Sequence, residues 1–204
     1  MKLEKYWQRE FEFKADSLLT DHEAADWTEY SLDKRMNTCV GYLNKYLRPG
    51  IFVFDAGSGP GAYLNVMRNV GFKVCGIDFS YKMVNRTRLN YGIKNVWVSS
   101  TYDIAAKNEI FDAVIVMGVF QYLSNQMFAI SELYRCLKKD GLLILNTLNK
   151  KMIVKNHKIK NKLIYTDPFV LKSDFEKAGF KAFFKPIKRL FVKSKETDRL
   201  KPDA

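Results

Sequence analysis

Residues 51–62 read Ile-Phe-Val-Phe-Asp-Ala-Gly-Ser-Gly-Pro-Gly-Ala, and this run constrains the fold more than any other part of the chain. Four consecutive apolar residues suit a strand buried on both faces, as in a parallel sheet covered by helices. Asp55 ends that strand, and Gly57, Gly59 and Gly61 then let the backbone turn tightly and approach a ligand without intervening side chains. A second apolar run over residues 72–77 ends in Asp78, at the spacing expected of a βαβ unit. A nucleotide-like ligand is the natural reading, and a ligand-free strand, turn and helix is the alternative.

The charge of Asp55 bears on which nucleotide. The spacing Gly57-x-Gly59-x-x-Ala62 also satisfies the relaxed fingerprint of dinucleotide-binding folds, in which a pyrophosphate rests on the helix N-terminus. Two like charges about 4 Å apart at intermediate dielectric repel by roughly 4 kcal/mol, so a carboxylate here disfavours phosphates. S-adenosylmethionine carries a sulfonium and an ammonium and no phosphate, and suits an acidic glycine turn better than NAD does. Asp78, at the tip of the second strand, is placed to accept hydrogen bonds from both ribose hydroxyls. Ser80 is placed to cap a helix starting near Tyr81, with Phe79 and Met83 as apolar packing for an adenine; Met83 serves equally well as a core residue.

These segments resemble the class I S-adenosylmethionine-dependent methyltransferases, and among them the small-molecule branch. The resemblance rests on Asp55-x-Gly57-x-Gly59-x-Gly61 and Asp78-x-Ser80-x-x-Met83, and continues through Phe111-Asp112 and the following strand to Tyr122-Leu123. It extends over residues 129–146 and 166–180, in family order, and covers roughly residues 37–195. It implies a cofactor site built from Asp55, Gly57, Ser58, Gly59, Gly61, Asp78, Phe79 and Met83, with Met117 and Gly118 at the end of the fourth strand. It also implies a Rossmann-like, doubly wound α/β sheet of seven mostly parallel strands with an antiparallel last strand. The strands are expected near residues 51–55, 72–77, 95–99, 112–117, 141–147, 181–185 and 189–194, with helices alternating with the first five.

Two departures from the family pattern stand out. Many members place an acid just after the third strand to bind the adenine amine, where this chain has Ser99-Ser100-Thr101-Tyr102, which leaves Ser100, Thr101 and Tyr102 as candidates. A His common near the end of the fourth-strand segment is replaced by Gln121 and Tyr122. The resemblance implies in-line displacement, in which alignment of the reactants matters most and a strong base is optional. If the acceptor must lose a proton, Tyr122, Tyr102, His22 and His157 are the candidates, while Gln121 is better suited to orient an acceptor than to deprotonate it.

Ahead of the core, residues 1–36 are expected to form a helical cap, followed by one domain over 37–195 and a tail over 196–204. In the resembling enzymes such helices close over the cofactor, so Tyr30 or Arg35 is a candidate for the methionine carboxylate; a surface Arg and a packing Tyr are the plain alternative. Tyr6, Trp7, Phe11 and Phe13 either line an acceptor pocket or pin the terminus to the core.

Charge is unevenly distributed. Basic against acidic residues number 8 to 9 over positions 1–50, 11 to 7 over 51–150 and 15 to 6 over 151–204, for a net +12. Lysines 150, 151, 155, 158, 160 and 162 form an acid-free segment after the expected fifth strand, either a solvated loop or a lid attracting an acidic acceptor or a phosphate. An RNA or protein methyltransferase docking through residues 150–162 is therefore one alternative function, and a non-catalytic cofactor-binding partner protein another. Nucleic acid is not favoured, because the position of an amine-clamping Asn/Asp-Pro-Pro-aromatic run reads Met117-Gly118-Val119-Phe120. Hydride transfer is disfavoured by Asp55. No apolar run is long enough to span a bilayer and no signal-peptide core is present, so the expected location is cytoplasmic. Cys39, Cys75 and Cys136 have neither disulfide nor metal-ligand spacing, and no metal is expected. The acceptor, the methylated atom and the oligomeric state do not follow from the sequence.

Overall fold

The computed structural model describes residues 2–16, 20–24, 27–150, 163–180 and 190–194, the last of these as backbone. Three helices lead the chain: α1 (Lys2–Asp16), α2 (Asp21–Ala24) and α3 (Glu29–Tyr46). Then come β1 (Phe52–Ala56), α4 (Ala62–Asn69), β2 (Lys73–Asp78), α5 (Tyr81–Tyr91), β3 (Val96–Val98), β4 (Phe111–Val116), a 3-10 turn (Phe120–Tyr122), α6 (Gln126–Cys136), β5 (Leu137–Asn146), α7 (Pro168–Lys177) and β6 (Leu190–Ser194). Side-chain caps set several helix starts: Thr28 accepts from Ser31 N, Ser80 from Met83 N, Asn125 from Phe128 N and Asp167 from Phe169 N.

The sheet runs β3-β2-β1-β4-β5-β6, with β1 to β5 parallel and β6 antiparallel to β5. Strand order reverses between β1 and β4, and the carboxyl ends of those two strands therefore flank a crevice where a ligand can enter. Six strands are present among the described residues, where seven were expected. The strand expected at 181–185 lies outside the described residues, as do the tail and the lysines at 151–162.

The expected alternation of helix and strand breaks between β3 and β4. Residues 99–110 form a looped connection instead, and its backbone is satisfied by side chains of α6. Arg135 Nη1 donates to Ala106 O at 2.7 Å and to Asn108 Oδ1 at 2.8 Å, and Nη2 donates to Ile104 O at 2.8 Å. Glu132 accepts from Ile104 N at 2.9 Å and holds the same guanidinium in an ion pair. One arginine fork therefore serves the carbonyls that a helix would have satisfied internally.

Both sheet faces are buried, as the apolar strands require. On one face Phe54, Cys75, Val114 and Leu143 pack under Ile130 and Leu133 of α6 and Phe175 of α7. On the other, Val53, Val74, Ile115 and Ile144 pack under Cys39 and Leu43 of α3, Leu64 and Met67 of α4 and Val84 of α5. All three cysteines are buried and form no disulfide, in keeping with their reading as small apolar residues. The α3 helix runs unbroken across residues 36 and 37, so the expected cap and core share one element.

Candidate cofactor site

The strand β1 ends at Asp55 and Ala56, and the chain reverses through Gly57, Ser58, Gly59, Pro60 and Gly61 into α4. The three glycines all take positive φ, at 94°, 52° and 94°, but they do different work. A Cβ on Gly57 would stand 2.3 Å from Val119 Cγ2, and one on Gly61 would stand 2.6 Å from Thr87 Cγ2. These two glycines let the loop after β4 and the helix α5 approach closely. Gly59 would meet nothing within 4 Å, and it alone of the three faces open space. Gly57 and Gly59 nevertheless both line the cavities described below, so of the three glycines expected to clear room for a ligand only Gly61 is placed elsewhere.

A cavity of about 120 Å³ lies over the carboxyl ends of β1, β2 and β4. Its walls include Gly57, Gly59, Asp78, Phe79, Met83, Ser100, Thr101, Tyr102, Met117, Gly118 and Tyr122, so most residues singled out in the sequence converge here. Its roof comes from Glu4, Trp7 and Phe11 of α1, and from Trp27 just before α3. Behind the glycine turn a smaller cavity of about 50 Å³ is lined by Trp27, Ser58, Tyr63 and Met117. Among the described residues no Lys, Arg or His lines either cavity.

Asp78 is buried, yet it accepts from Gly59 N and Ser80 N, each at 2.9 Å and each on a different oxygen. Each carboxylate oxygen keeps a second lone pair for a hydroxyl. Burial raises the acid from its ordinary 3.8 to about 6, against the pull of these two backbone donors. Asp55 lines neither cavity: it is 1 % exposed, sealed beneath the turn, and neither of its oxygens has a partner. Burial first, and the Asp78 charge second, raise its acid well above the usual carboxylate range. The Ser58 and Tyr63 hydroxyls beside the smaller cavity are also buried without partners, and burial raises the Tyr63 phenol as well.

This pattern of open valences fits S-adenosylmethionine. Asp78, on the wall of the larger cavity, has lone pairs free for the two ribose hydroxyls. Ser58 and Tyr63 offer hydroxyls beside the smaller cavity to a methionyl carboxylate, and the partnerless Asp55 beneath the turn supplies a negative field suited to the ammonium. A pyrophosphate in the larger cavity would meet the carboxylates of Asp78 and Glu4 instead.

Several expected site residues stand elsewhere. Tyr30 is 74 % exposed on α3 and lines neither cavity. Arg35 does not line them either: its guanidinium stacks 3.6 Å from the centre of the Trp27 ring, and Trp27 in turn fills the space left by the absent side chain of Gly118. Gln121 is buried and does not line the cavity, and its backbone carbonyl accepts from Ile164 N at 2.8 Å. An acceptor-orienting role for Gln121 loses its geometry for this reason. His22 sits on α2 beside the Thr20 hydroxyl, away from the cavity, and His157 lies outside the described residues.

Sequence reasoning missed Tyr63, Asn146 and Glu4. Asn146, at the end of β5, accepts from Gly118 N and fixes the loop after β4. Glu4 lies far from the glycine turn in sequence and reaches the cavity only because α1 folds over it. Trp7 and Phe11 were read as either pocket wall or anchor, and they are both. The Trp7 ring is 4.7 Å from Tyr122, and Phe11 is 5.2 Å from Tyr122 and 5.8 Å from Phe79.

Comparison with known proteins agrees with this geometry. Residues 54–145 match the sequence profile of a family described as a methyltransferase domain. A ubiquinone biosynthesis O-methyltransferase of Xanthomonas campestris pv. campestris is 33 % identical over 107 residues, covering 50 % of this chain and 45 % of that protein. An uncharacterised protein of Methanocaldococcus jannaschii is 29 % identical over 132 residues, covering 65 % of this chain and 56 % of that protein. The chain thus spans about half the length of the curated relatives it matches. Among solved structures, magnesium protoporphyrin IX methyltransferase from Synechocystis PCC 6803 with bound S-adenosylmethionine superposes with a TM-score of 0.70 at 17 % identity, over 96 % of this chain and 98 % of that one. A methyltransferase from Aquifex aeolicus superposes at 0.62 and 24 % identity, over 78 % and 87 % of the two chains. In its glycine turn and its sheet order this chain is thus similar to S-adenosylmethionine-dependent methyltransferases, and the methyltransferase-domain profile covers its residues 54–145.

Proposed function

We propose that the protein transfers a methyl group from S-adenosylmethionine to an oxygen, nitrogen or carbon atom of a small molecule. The observation that carries this reading is a cavity over the carboxyl ends of the parallel strands, walled by the glycine turn and by the buried Asp78 carboxylate, which keeps an open lone pair on each oxygen, and lying above the partnerless Asp55. When bound, S-adenosylmethionine supplies an electrophilic methyl carbon on a sulfonium. The chain's own residues bind, align and exclude water. Gly59 leaves room at the turn, Asp78 orients the ribose, and Phe79 and Met83 pack the base. Trp7, Phe11 and Trp27 roof the crevice, so that a nucleophile is held in line in a dry space. Such alignment supplies about 7 to 11 kcal/mol of a barrier of this kind.

The wall supports a small acceptor rather than a polymer, because α1 lies across the crevice and closes it. Tyr122 is the best-placed phenol to meet an acceptor, being on the wall and flanked by the Trp7 and Phe11 rings. The buried Trp7 indole N–H has no acceptor among the described residues and offers a donor to the same molecule. An acidic acceptor would draw its countercharge from residues 150–162, of which 151–162 lie outside the described residues.

Calorimetric titration with S-adenosylmethionine, S-adenosylhomocysteine and NAD tests the reading. Binding of the first two with NAD silent is the expected result, to be followed by screening of small acceptors for methyl transfer by mass spectrometry. Binding of NAD, or silence toward all three, would overturn it.

A further inference from the structure

We infer that Glu4, on the leading helix α1, recognises the exocyclic amine of the cofactor's adenine and so takes the role that the loop after β3 cannot fill. The inference rests on the methyltransferase reading and deepens it. With the ribose at Asp78, the base must lie beyond it, against Phe79 and Met83 and toward the end of β3, where Ser99, Ser100, Thr101 and Tyr102 form the wall. The groups of that loop are largely committed to one another. Ser99 Oγ donates to Asp103 O at 2.8 Å, and Ser100 Oγ accepts from Tyr102 N at 3.1 Å. The Tyr102 hydroxyl accepts from Asn125 N at 3.2 Å and points its proton toward Glu4 Oε1 at 3.4 Å. The loop carries no carboxylate on the cavity, whose two carboxylates among the described residues are Asp78 and Glu4.

An adenine presents an N–H donor on its amine, and a carboxylate is the strongest neutral-pH partner for it. Glu4 is delivered there by the rest of α1. Gln8 Nε2 donates to Phe79 O at 3.1 Å, and Glu12 accepts from Tyr81 N at 2.8 Å and from Lys82 N at 3.3 Å, capping α5 from a neighbouring helix. Glu4 also holds the Ser124 hydroxyl, which ties α1 to the segment after the 3-10 turn. A helix anchored to the same elements that bind the nucleoside thus contributes one of the nucleoside's own contacts.

The test is a comparison of dissociation constants for S-adenosylhomocysteine and S-inosylhomocysteine, in which the 6-amino group is replaced by a carbonyl. A carbonyl oxygen facing a carboxylate is unpaired and repelled, so the wild-type protein should prefer the adenosyl compound by about tenfold or more. In Glu4→Gln, whose amide can donate to the carbonyl, that preference should collapse toward unity. Glu12→Gln serves as the control, because it loosens α1 without touching the base and should weaken both ligands alike. Two results would overturn the inference: no wild-type preference, or a preference unchanged in Glu4→Gln, including the case in which both ligands weaken equally. A wild-type protein that binds neither compound would instead sink the methyltransferase reading itself.

Discussion

At the residue scale, the pair Asp55 and Asp78 should make the ligand-free protein's stability depend on pH in an unusual direction. Both acids are raised in the folded state, Asp78 from 3.8 to about 6. Between those values the folded chain binds more protons than the unfolded chain, so stability is greatest below the unfolded value and falls as pH rises through the folded one. Urea denaturation of the free protein should therefore show a higher midpoint at pH 5 than at pH 7. Saturating S-adenosylmethionine should remove that trend, because its ammonium favours the charged form of Asp55. Asp55→Asn removes the uncompensated buried charge, and should raise the melting temperature of the free protein by at least about 2 °C while weakening cofactor binding. A variant that melts lower and binds normally would refute the assignment. The glycines divide in the same way. Gly57→Ala drives a Cβ into Val119 and should destabilise the fold by about 1 to 3 kcal/mol, measured by denaturation. Gly59→Ala should largely keep the fold and lose cofactor affinity.

At the element scale, Arg135 substitutes for a missing helix between β3 and β4. Its fork reaches three backbone or side-chain oxygens of residues 104–108 as well as Glu132. Lysine retains the charge but not the planar fork. Arg135→Lys should cost about 1 to 3 kcal/mol and increase hydrogen exchange in residues 104–110 beyond any change in β1 or β2. The helix α1 is held differently, by aromatic packing and by the Glu12 cap on α5. Its amides should exchange faster than those of β1 in the free protein and slow on addition of S-adenosylhomocysteine, since the nucleoside site forms part of its docking surface.

At the scale of the whole molecule, cofactor binding and fold are one linked equilibrium. A ligand held only by the native state stabilises it by about 2.7 kcal/mol at one hundred times its dissociation constant. A thermal scan should therefore show a rise with S-adenosylhomocysteine at that excess and none with NAD. The sheet explains why the effect is global: the turn after β1 and the tip of β2 lie at the centre of the parallel array, where both faces are packed.

Much of this protein was written in local pattern. Four apolar residues ending in an acid and a glycine turn need only near-neighbour sterics and burial to become β1 and its loop, and the same holds for Asp78 and the Ser80 cap. The converging wall of Phe79, Met83, Ser100 to Tyr102 and Met117 to Gly118 was implied by the resemblance of the ordered segments to the methyltransferase pattern, and the cavity brings these residues together. The sequence could not divide the three glycines by role, because Val119 and Thr87, which decide it, are distant in the chain and close only in space. Nor could it place Tyr30 and Arg35, since helical phase and the Trp27 ring turn both away from the cavity. The absent helix after β3 was hidden for a similar reason: Arg135, which makes it dispensable, comes from α6. Glu4, Tyr63 and the partnerless state of Asp55 belong to the tertiary structure alone. A side chain's partners and its solvation depend on what packs above it, and here a helix from the far end of the chain does the packing.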